Sequence, residues 1–380
     1  MHLPPFLLDQ WLAAHEFASP PIRYNLASST GPPWTFGELL ALGDGDLKKE
    51  LSELGVSYVP PEGTEALRRA IAELHDVAPD WVVVTTGASE ALSALFCLAA
   101  EPGASIVVPN PGFPGFAAMA GAWGLKVTTY ELERKTGFAQ TADLVLAAVN
   151  RETRLVLVNS PHNPSGSVMP PAEIARLSAV LAERGIPLIV DEVYHPLYFG
   201  TPMPSAAKVL NAIVVGDLSK AMSLSGLRIG WLIDRDARRR ERLINLRSYF
   251  TVSGSPITEK IAVHALAHRH VILSRLQDVT RTNLAMLDEF MNAQRGTIGW
   301  VRPSGGTVAF PWRLDGRDAR PMCEGLARKG VLVAPGDCFE AAAHFRVGFG
   351  AQMTGFQQAL DIASRFVALI PRGSAERERA

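Results

Sequence analysis

Leu155-Val-Leu-Val-Asn159 opens the stretch that decides the fold, residues 155–220. It continues through Pro187-Leu-Ile-Val-Asp191 and Ile213-Val-Val-Gly-Asp217, and ends on Leu218-Ser-Lys220. Each run is apolar almost without a break, and each stops at Asn or Asp. Such short continuous runs suit strands covered on both faces. Between the first two lies Pro171–Arg184, rich in Ala and Leu at helical spacing. Strand, helix and strand in succession predict parallel strands with helices across their faces. In such sheets ligands bind beyond the carboxyl ends of the strands, where the Asn and Asp residues stand.

The alternation extends toward the N-terminus. Trp81–Thr86, Ser105–Pro109 and Lys126–Tyr130 read as further strands, and Leu67–Leu74 and Ser89–Ala100 as helices. The expectation is an α/β fold: a mainly parallel central sheet flanked by helices, forming a large domain over residues 46–255. Past about residue 250 the pattern changes. A long helical stretch runs from Pro256 to about Asn292. Short strand runs follow at Thr307–Trp312, Val331–Ala334 and Phe345–Phe349, with helices near Ala319–Lys329 and Gln357–Leu369. This predicts a smaller α+β domain of residues 256–370, joined by residues 1–45, which hold one helix and Thr30-Gly-Pro-Pro-Trp34. Residues 371–380 read as a charged tail. No repeat or low-complexity segment is evident.

Composition fits this division. At roughly 100–200 residues per domain, 380 residues make about two domains. Lys plus Arg number 37 and Asp plus Glu 38, a net charge of −1, with no footprint for nucleic acid or an anionic membrane surface. A small-molecule partner is expected. Cys97, Cys323 and Cys338 form neither a disulfide framework nor a metal-spaced pair, and isolated thiols fit a reducing compartment. The longest uncharged run, residues 103–125, carries three prolines and five glycines, so it cannot be a membrane helix. The N-terminus lacks a basic region and carries Asp9 and Glu16, unlike a signal peptide. A soluble, cytoplasmic protein is expected. Asp44-Gly-Asp46 lacks the remaining ligands of a calcium loop, and no metal is expected. The Arg238–Arg240 run reads as a solvated helix face.

Four segments carry chemistry. Thr85-Thr86-Gly87-Ala88-Ser89-Glu90 turns from strand to helix at a glycine, and free N–H groups at a helix N-terminus bind anions, typically phosphate. Asn159-Ser-Pro-His-Asn-Pro-Ser-Gly166 is a polar, proline-fixed loop at a strand end. Asp191 ends a buried strand and needs a cationic or N–H partner there. Lys220 follows another strand; a desolvated lysine has a lowered pKa and serves as a nucleophilic amine. No GxGxxG follows a strand, which argues against a dinucleotide.

Taken in order, these segments resemble the fold-type I pyridoxal-phosphate enzymes, the class I/II aminotransferase family. The resemblance spans about residues 24–366. Its strongest motif is Ser219-Lys220-x7-Arg228-x-Gly230, with Asn163-Pro-x-Gly166 and Asp191-x-x-Tyr194 lying 57 and 29 residues before the lysine. The resemblance implies that Lys220 holds pyridoxal 5'-phosphate as a Schiff base and then shuttles a proton. It implies that Asp191 pairs with the pyridinium nitrogen, keeping the ring an electron sink. Asn163 and Tyr194 then bond the ring oxygen, Phe113 stacks on the ring, and Gly87, Ala88, Ser89, Ser219 and Arg228 hold the phosphate. Arg346, in Phe345-Arg-Val-Gly-Phe349, matches the arginine that forks onto the substrate α-carboxylate. Tyr58 matches a tyrosine that reaches the phosphate of a neighbouring subunit, which implies a homodimer.

Two departures stand out. Asp217 occupies the place of a usual Ser or Thr, so it must point away from the phosphate or meet a cation. Where the family often has a glycine facing the substrate, this chain reads Asn25-Leu-Ala-Ser-Ser-Thr-Gly31, so Ser28 or Ser29 is the candidate; Ser28 is taken as substrate-binding. The activity implied is transfer of an amino group between an L-amino acid and a 2-oxo acid. An elimination or cyclisation outcome stands beside it. Trp34-Thr-Phe-Gly-Glu-Leu39, Ser248-Tyr-Phe-Thr-Val-Ser253 and Ser304-Gly-Gly-Thr-Val-Ala-Phe310 are similar to the capreomycidine synthase branch, which cyclises a hydroxylated arginine. A non-catalytic sensor module would need a DNA-binding domain, which the neutral chain does not suggest.

Overall fold

The computed structural model describes residues 3–369. The expected tail, 371–380, lies outside the described residues. A seven-stranded sheet forms the centre, in the order Val82–Thr85, Gly230–Asp234, Ala212–Asp217, Leu188–Asp191, Thr153–Asn159, Ser105–Asn110, Lys126–Glu131. All pair in parallel except Gly230–Asp234, which runs antiparallel to both its neighbours. That strand is not among the expected ones. It follows Ala212–Asp217 with only a short 3-10 turn, Ser225–Leu227, between them, because antiparallel pairing needs no crossover, and so the alternation does not announce it.

The apolar runs are buried on both faces, as period-2 geometry requires. Val156, Val158, Val190 and Val214 enter one core layer; Leu155, Leu157, Ile189, Ile213 and Val215 enter the other. Helix Pro171–Glu183 covers the first layer with Leu177 and Leu181, and helix Gly87–Ala99 covers the second with Ala91 and Leu95. Each such side chain contributes about 1.5–3 kcal/mol on burial. Only Lys126–Glu131, at the edge, leaves most of its residues exposed.

The expected long helix from Pro256 is two helices, Pro256–Ala267 and Arg269–Ala293, which meet at His268. Pro256–Ala267 packs against helix Glu65–His75. The N-terminal stretch holds more helix than expected: Leu7–Glu16 and the short Phe36–Leu40. It joins the C-terminal part through Tyr24–Asn25, which pairs in parallel with Val331–Leu332, and through Trp11 Nε1, which donates to the Val333 carbonyl at 3.0 Å. Val308–Ala309, Phe345–Gly348 and Ala334–Pro335 form an antiparallel ladder beside it. The arginine run is not simply solvated. Arg239 Nη2 donates to buried Asp234 at 2.8 Å and Arg240 Nη1 to the Asp234 carbonyl at 2.7 Å. No helix of the described residues is long and apolar enough to cross a membrane.

Candidate active site

Five parallel or near-parallel strand ends meet at one crevice. Asn159 and Asp191 are register partners on neighbouring strands, and Asn159 Nδ2 donates to the Asp191 carbonyl at 3.2 Å. A cavity of about 200 Å³ opens here, lined by Ala88, Ser89, Phe113, Asn163, Asp191, Tyr194, Ser219, Lys220 and Arg228. These residues come from six separate chain segments, which the sheet topology brings together.

One wall is an anion cradle. Helix Gly87–Ala99 begins at Gly87, with Thr86 at its N-cap and no side-chain cap, so its first N–H groups stay open. Ser89 is therefore within the first turn and is not the cap. Gly87 has φ +75°, and a Cβ there would collide with Arg228 Nη2. The absence of that Cβ lets the guanidinium lie against the helix start. Gly87 itself touches Arg228 but does not line the cavity.

The opposite end is acidic and enclosed. Asp191 is 4 % exposed, and its Oδ1 accepts the Val193 N–H at 3.1 Å. Burial pushes its carboxyl up to about 7, against the Val193 hydrogen bond, with the Asp217 charge adding to the rise. No cation among the described residues forms an ion pair with it. A protonated ring nitrogen would supply the missing partner, so the site fits a pyridinium. Asp217 also lines the cavity and accepts the Ser219 N–H at 2.9 Å. Its charge opposes the fall in the Lys220 pKa, but it forms no ion pair among the described residues.

Lys220 projects into the cavity between these walls. Enclosure lowers its pKa, the positive charges of Arg346 and Arg228 reinforce this, and Asp217 and Asp191 oppose it. Its Nζ donates to Ser29 Oγ at 2.9 Å. Ser28, one residue earlier, bonds Thr30 Oγ1 at 2.9 Å and lines an adjoining cavity instead. The Tyr194 hydroxyl is fully buried near Ser29 and Thr307 but closes no hydrogen bond of good geometry. A buried hydroxyl left without a well-formed hydrogen bond is uncommon in a folded chain.

Arg346 is 1 % exposed. Its Nη1 donates to Asn163 Oδ1 at 3.0 Å and its Nη2 to the Ala27 carbonyl at 2.7 Å, while Nε has no partner. A buried guanidinium without a carboxylate is costly unless an anion completes it. Asn163 is placed by Asn159, whose Oδ1 accepts its N–H at 2.7 Å. Tyr58 stands apart, 86 % exposed on a surface loop.

Sequence reading gave Asn159 no site role, took Ser28 where Ser29 is the one bonded to Lys220, and missed Thr307. Asn159 was legible as a strand-end amide. Ser29 and Thr307 sit in loops whose partners are set by tertiary contact. Behind Asp191, Glu192 accepts from Ser205 Oγ and the Ala206 N–H, both at 2.6 Å, and burial pushes it up to about 7. His75, lowered to about 3 by burial, bonds Ser205 Oγ at 2.9 Å and accepts from Trp231 Nε1 at 3.1 Å. With His195, these groups bring potential metal-ligand atoms within 4.8 Å of one another. Both His75 nitrogens are already used, so the set reads as a polar network anchoring the turn after Asp191.

The family described as aminotransferase class I and II matches residues 49–361. Capreomycidine synthase of Streptomyces vinaceus is 34 % identical over 376 residues, 98 % of this chain and 96 % of that protein. A pyridoxal-phosphate-dependent aminotransferase from Streptococcus suis superposes with a TM-score of 0.90 at 26 % identity, covering 98 % of this chain and 100 % of that one. A pyridoxal-phosphate-dependent cyclase, OrfR, superposes with a TM-score of 0.85 at 26 % identity, covering 97 % and 98 %. The anion cradle, the unpaired Asp191 and the enclosed Lys220 agree with these likenesses: the chain belongs to the class I and II aminotransferase family of pyridoxal-phosphate-dependent enzymes.

Proposed function

We propose that this protein is an aminotransferase acting on an L-amino acid and a 2-oxo acid. The observation that carries the reading is an enclosed lysine in the strand-end cavity, with a buried, incompletely bonded arginine behind it that reaches the cavity through Asn163. Bound pyridoxal phosphate supplies an electron sink for the carbanion at Cα. Lys220 would hold it covalently. Ala88 and Ser89 offer N–H groups to its phosphate, Gly87 leaves room for Arg228 beside them, and Ser219 and Arg228 complete the cradle. Asp191 keeps the ring nitrogen protonated, and Phe113 covers the ring. Asn163 and Tyr194 serve the ring oxygen; the unpartnered Tyr194 hydroxyl has a donor to give.

Arg346 binds the substrate carboxylate, and Asn163, bonded to it, links carboxylate and ring. Lys220, once released, accepts the Cα proton and returns it elsewhere. Its lowered pKa leaves more of the free amine at neutral pH. On this reading residues 46–255 form the cofactor domain, with 1–45 and 256–370 as the second. The enzyme acts as a homodimer in which Tyr58, exposed in one subunit, reaches the partner's phosphate.

A second reading, elimination with cyclisation, is favoured by the identity to capreomycidine synthase over nearly the whole chain and by the OrfR likeness. Loading with pyridoxal phosphate and reducing with borohydride should fix the cofactor to Lys220; Lys220→Ala should fix none. Incubation with amino acids then separates the readings. Release of a 2-oxo acid without ammonia supports transamination, and ammonia or a cyclised product supports the second.

A further inference from the structure

We infer that Ser29 is a positioning residue for the reaction, holding the Lys220 amine through its hydroxyl whenever that amine is free. The inference rests on the reading of Lys220 as the cofactor-bearing, proton-carrying lysine. Ser29 is 9 % exposed and lies in an irregular segment 191 residues away in sequence, yet its Oγ accepts from Lys220 Nζ at 2.9 Å.

The segment is fixed carbonyl by carbonyl. The Gly348 N–H donates to the Leu26 carbonyl at 2.6 Å, Arg346 Nη2 to Ala27 at 2.7 Å, and Thr307 Oγ1 to Ser29 itself at 2.9 Å. The Asn25 side chain accepts the N–H groups of Ala27 and Ser28 at 2.9 and 3.1 Å. A Cβ at Gly348 would collide with the Ser28 carbonyl, and one at Gly350 would come within 2.7 Å of the Thr30 carbonyl. Two glycines thus let the strand end lie flush against the segment. Such a fixed backbone leaves the Ser29 side chain little freedom of place.

When the substrate's Cα–H bond breaks, its proton forms a new N–H bond on Lys220, and the amine becomes an ammonium. A hydroxyl accepting from that nitrogen binds the ammonium more strongly than the amine. Ser29 therefore aligns the amine and favours the proton-carrying form. Arg346 ties the device to the substrate, since one guanidinium would hold the carboxylate and the Ala27 carbonyl two residues before Ser29.

The test begins with apoprotein. The rate of Lys220 acylation against pH, read by mass spectrometry, gives the titration midpoint of the amine. Removing the hydroxyl in Ser29→Ala should lower that midpoint by about one pH unit, the size of a hydrogen bond to a charged group. In loaded enzyme, exchange of the Cα proton of a substrate into D2O should slow about 10- to 100-fold with KM little changed. Ser29→Thr should restore both, since it keeps the hydroxyl. An unchanged midpoint and exchange rate in Ser29→Ala and Ser29→Gly overturns the inference, as does an equal loss in Ser29→Thr. If borohydride fixes no cofactor to Lys220 in the wild type, the lysine reading fails by itself, and the apoprotein midpoint still reports on Ser29.

Discussion

Arg346 Nη1 donates to Asn163 Oδ1 at 3.0 Å, so the arginine proposed for the substrate carboxylate is bonded to the amide proposed for the cofactor ring. The bond joins the C-terminal strand Phe345–Gly348 to the loop after Thr153–Asn159.

Arg346→Lys should raise KM for amino acids about 100-fold while cofactor binding persists. A lysine presents a point charge where the site uses a planar fork. Steady-state kinetics with a titration of cofactor absorbance checks this. Equal losses in both would place Arg346 in the cofactor site instead.

Asp191 makes the apoprotein pH-sensitive. Its folded carboxyl releases its proton near pH 7, far above the ordinary carboxylate range of the unfolded chain. Between those values the folded state holds more protons, so stability falls as pH rises from about 4 to 7. Glu192, also raised to about 7, adds to the fall. Asp191→Asn should therefore be less destabilised than wild-type apoprotein on moving from pH 5 to pH 8, by urea midpoint. In the loaded enzyme the same variant should lose most of its activity, because the ring nitrogen loses its counter-charge.

Gly87→Ala should weaken cofactor affinity about tenfold or more. A side chain at φ +75° is strained, and its Cβ would push Arg228 from the helix start. Gly230→Ala should instead damage folding, since its Cβ would strike the Gly87 backbone. Equilibrium dialysis of the first and thermal melting of the second distinguish the two effects.

Tyr58 tests the assembly. It is 86 % exposed and does not line the Lys220 cavity of its own chain. Tyr58→Phe should lower cofactor affinity several-fold with the fold intact. Mixed dimers of Tyr58→Phe and Lys220→Ala should hold one intact site, because each damaged residue falls in the same composite cavity. A fully active monomer by size-exclusion mass would contradict the arrangement.

Much of the site was legible because sheet chemistry is local. Apolar runs ending in Asn159, Asp191 and Asp217 mark both strands and crevice, since burial on two faces and polarity at the end leave few other readings. The strand Gly230–Asp234 was hidden because it needs no crossover helix. The break at His268 was hidden because the helical spacing continues across it. Ser29 and Thr307 were not resolvable from spacing, because their roles depend on contacts across 191 and 278 residues. Asp217 showed a departure from its family but not its direction, which only packing decides.

Amino transfer through Lys220 can be followed directly. The most direct measurement supplies loaded enzyme with a panel of 15N-labelled L-amino acids and an unlabelled 2-oxo acid, and follows the label by mass spectrometry. 15N should appear in a new amino acid built on the acceptor's carbon skeleton, in wild type and not in Lys220→Ala. Label appearing only in ammonia or in a cyclised form of the donor would contradict it.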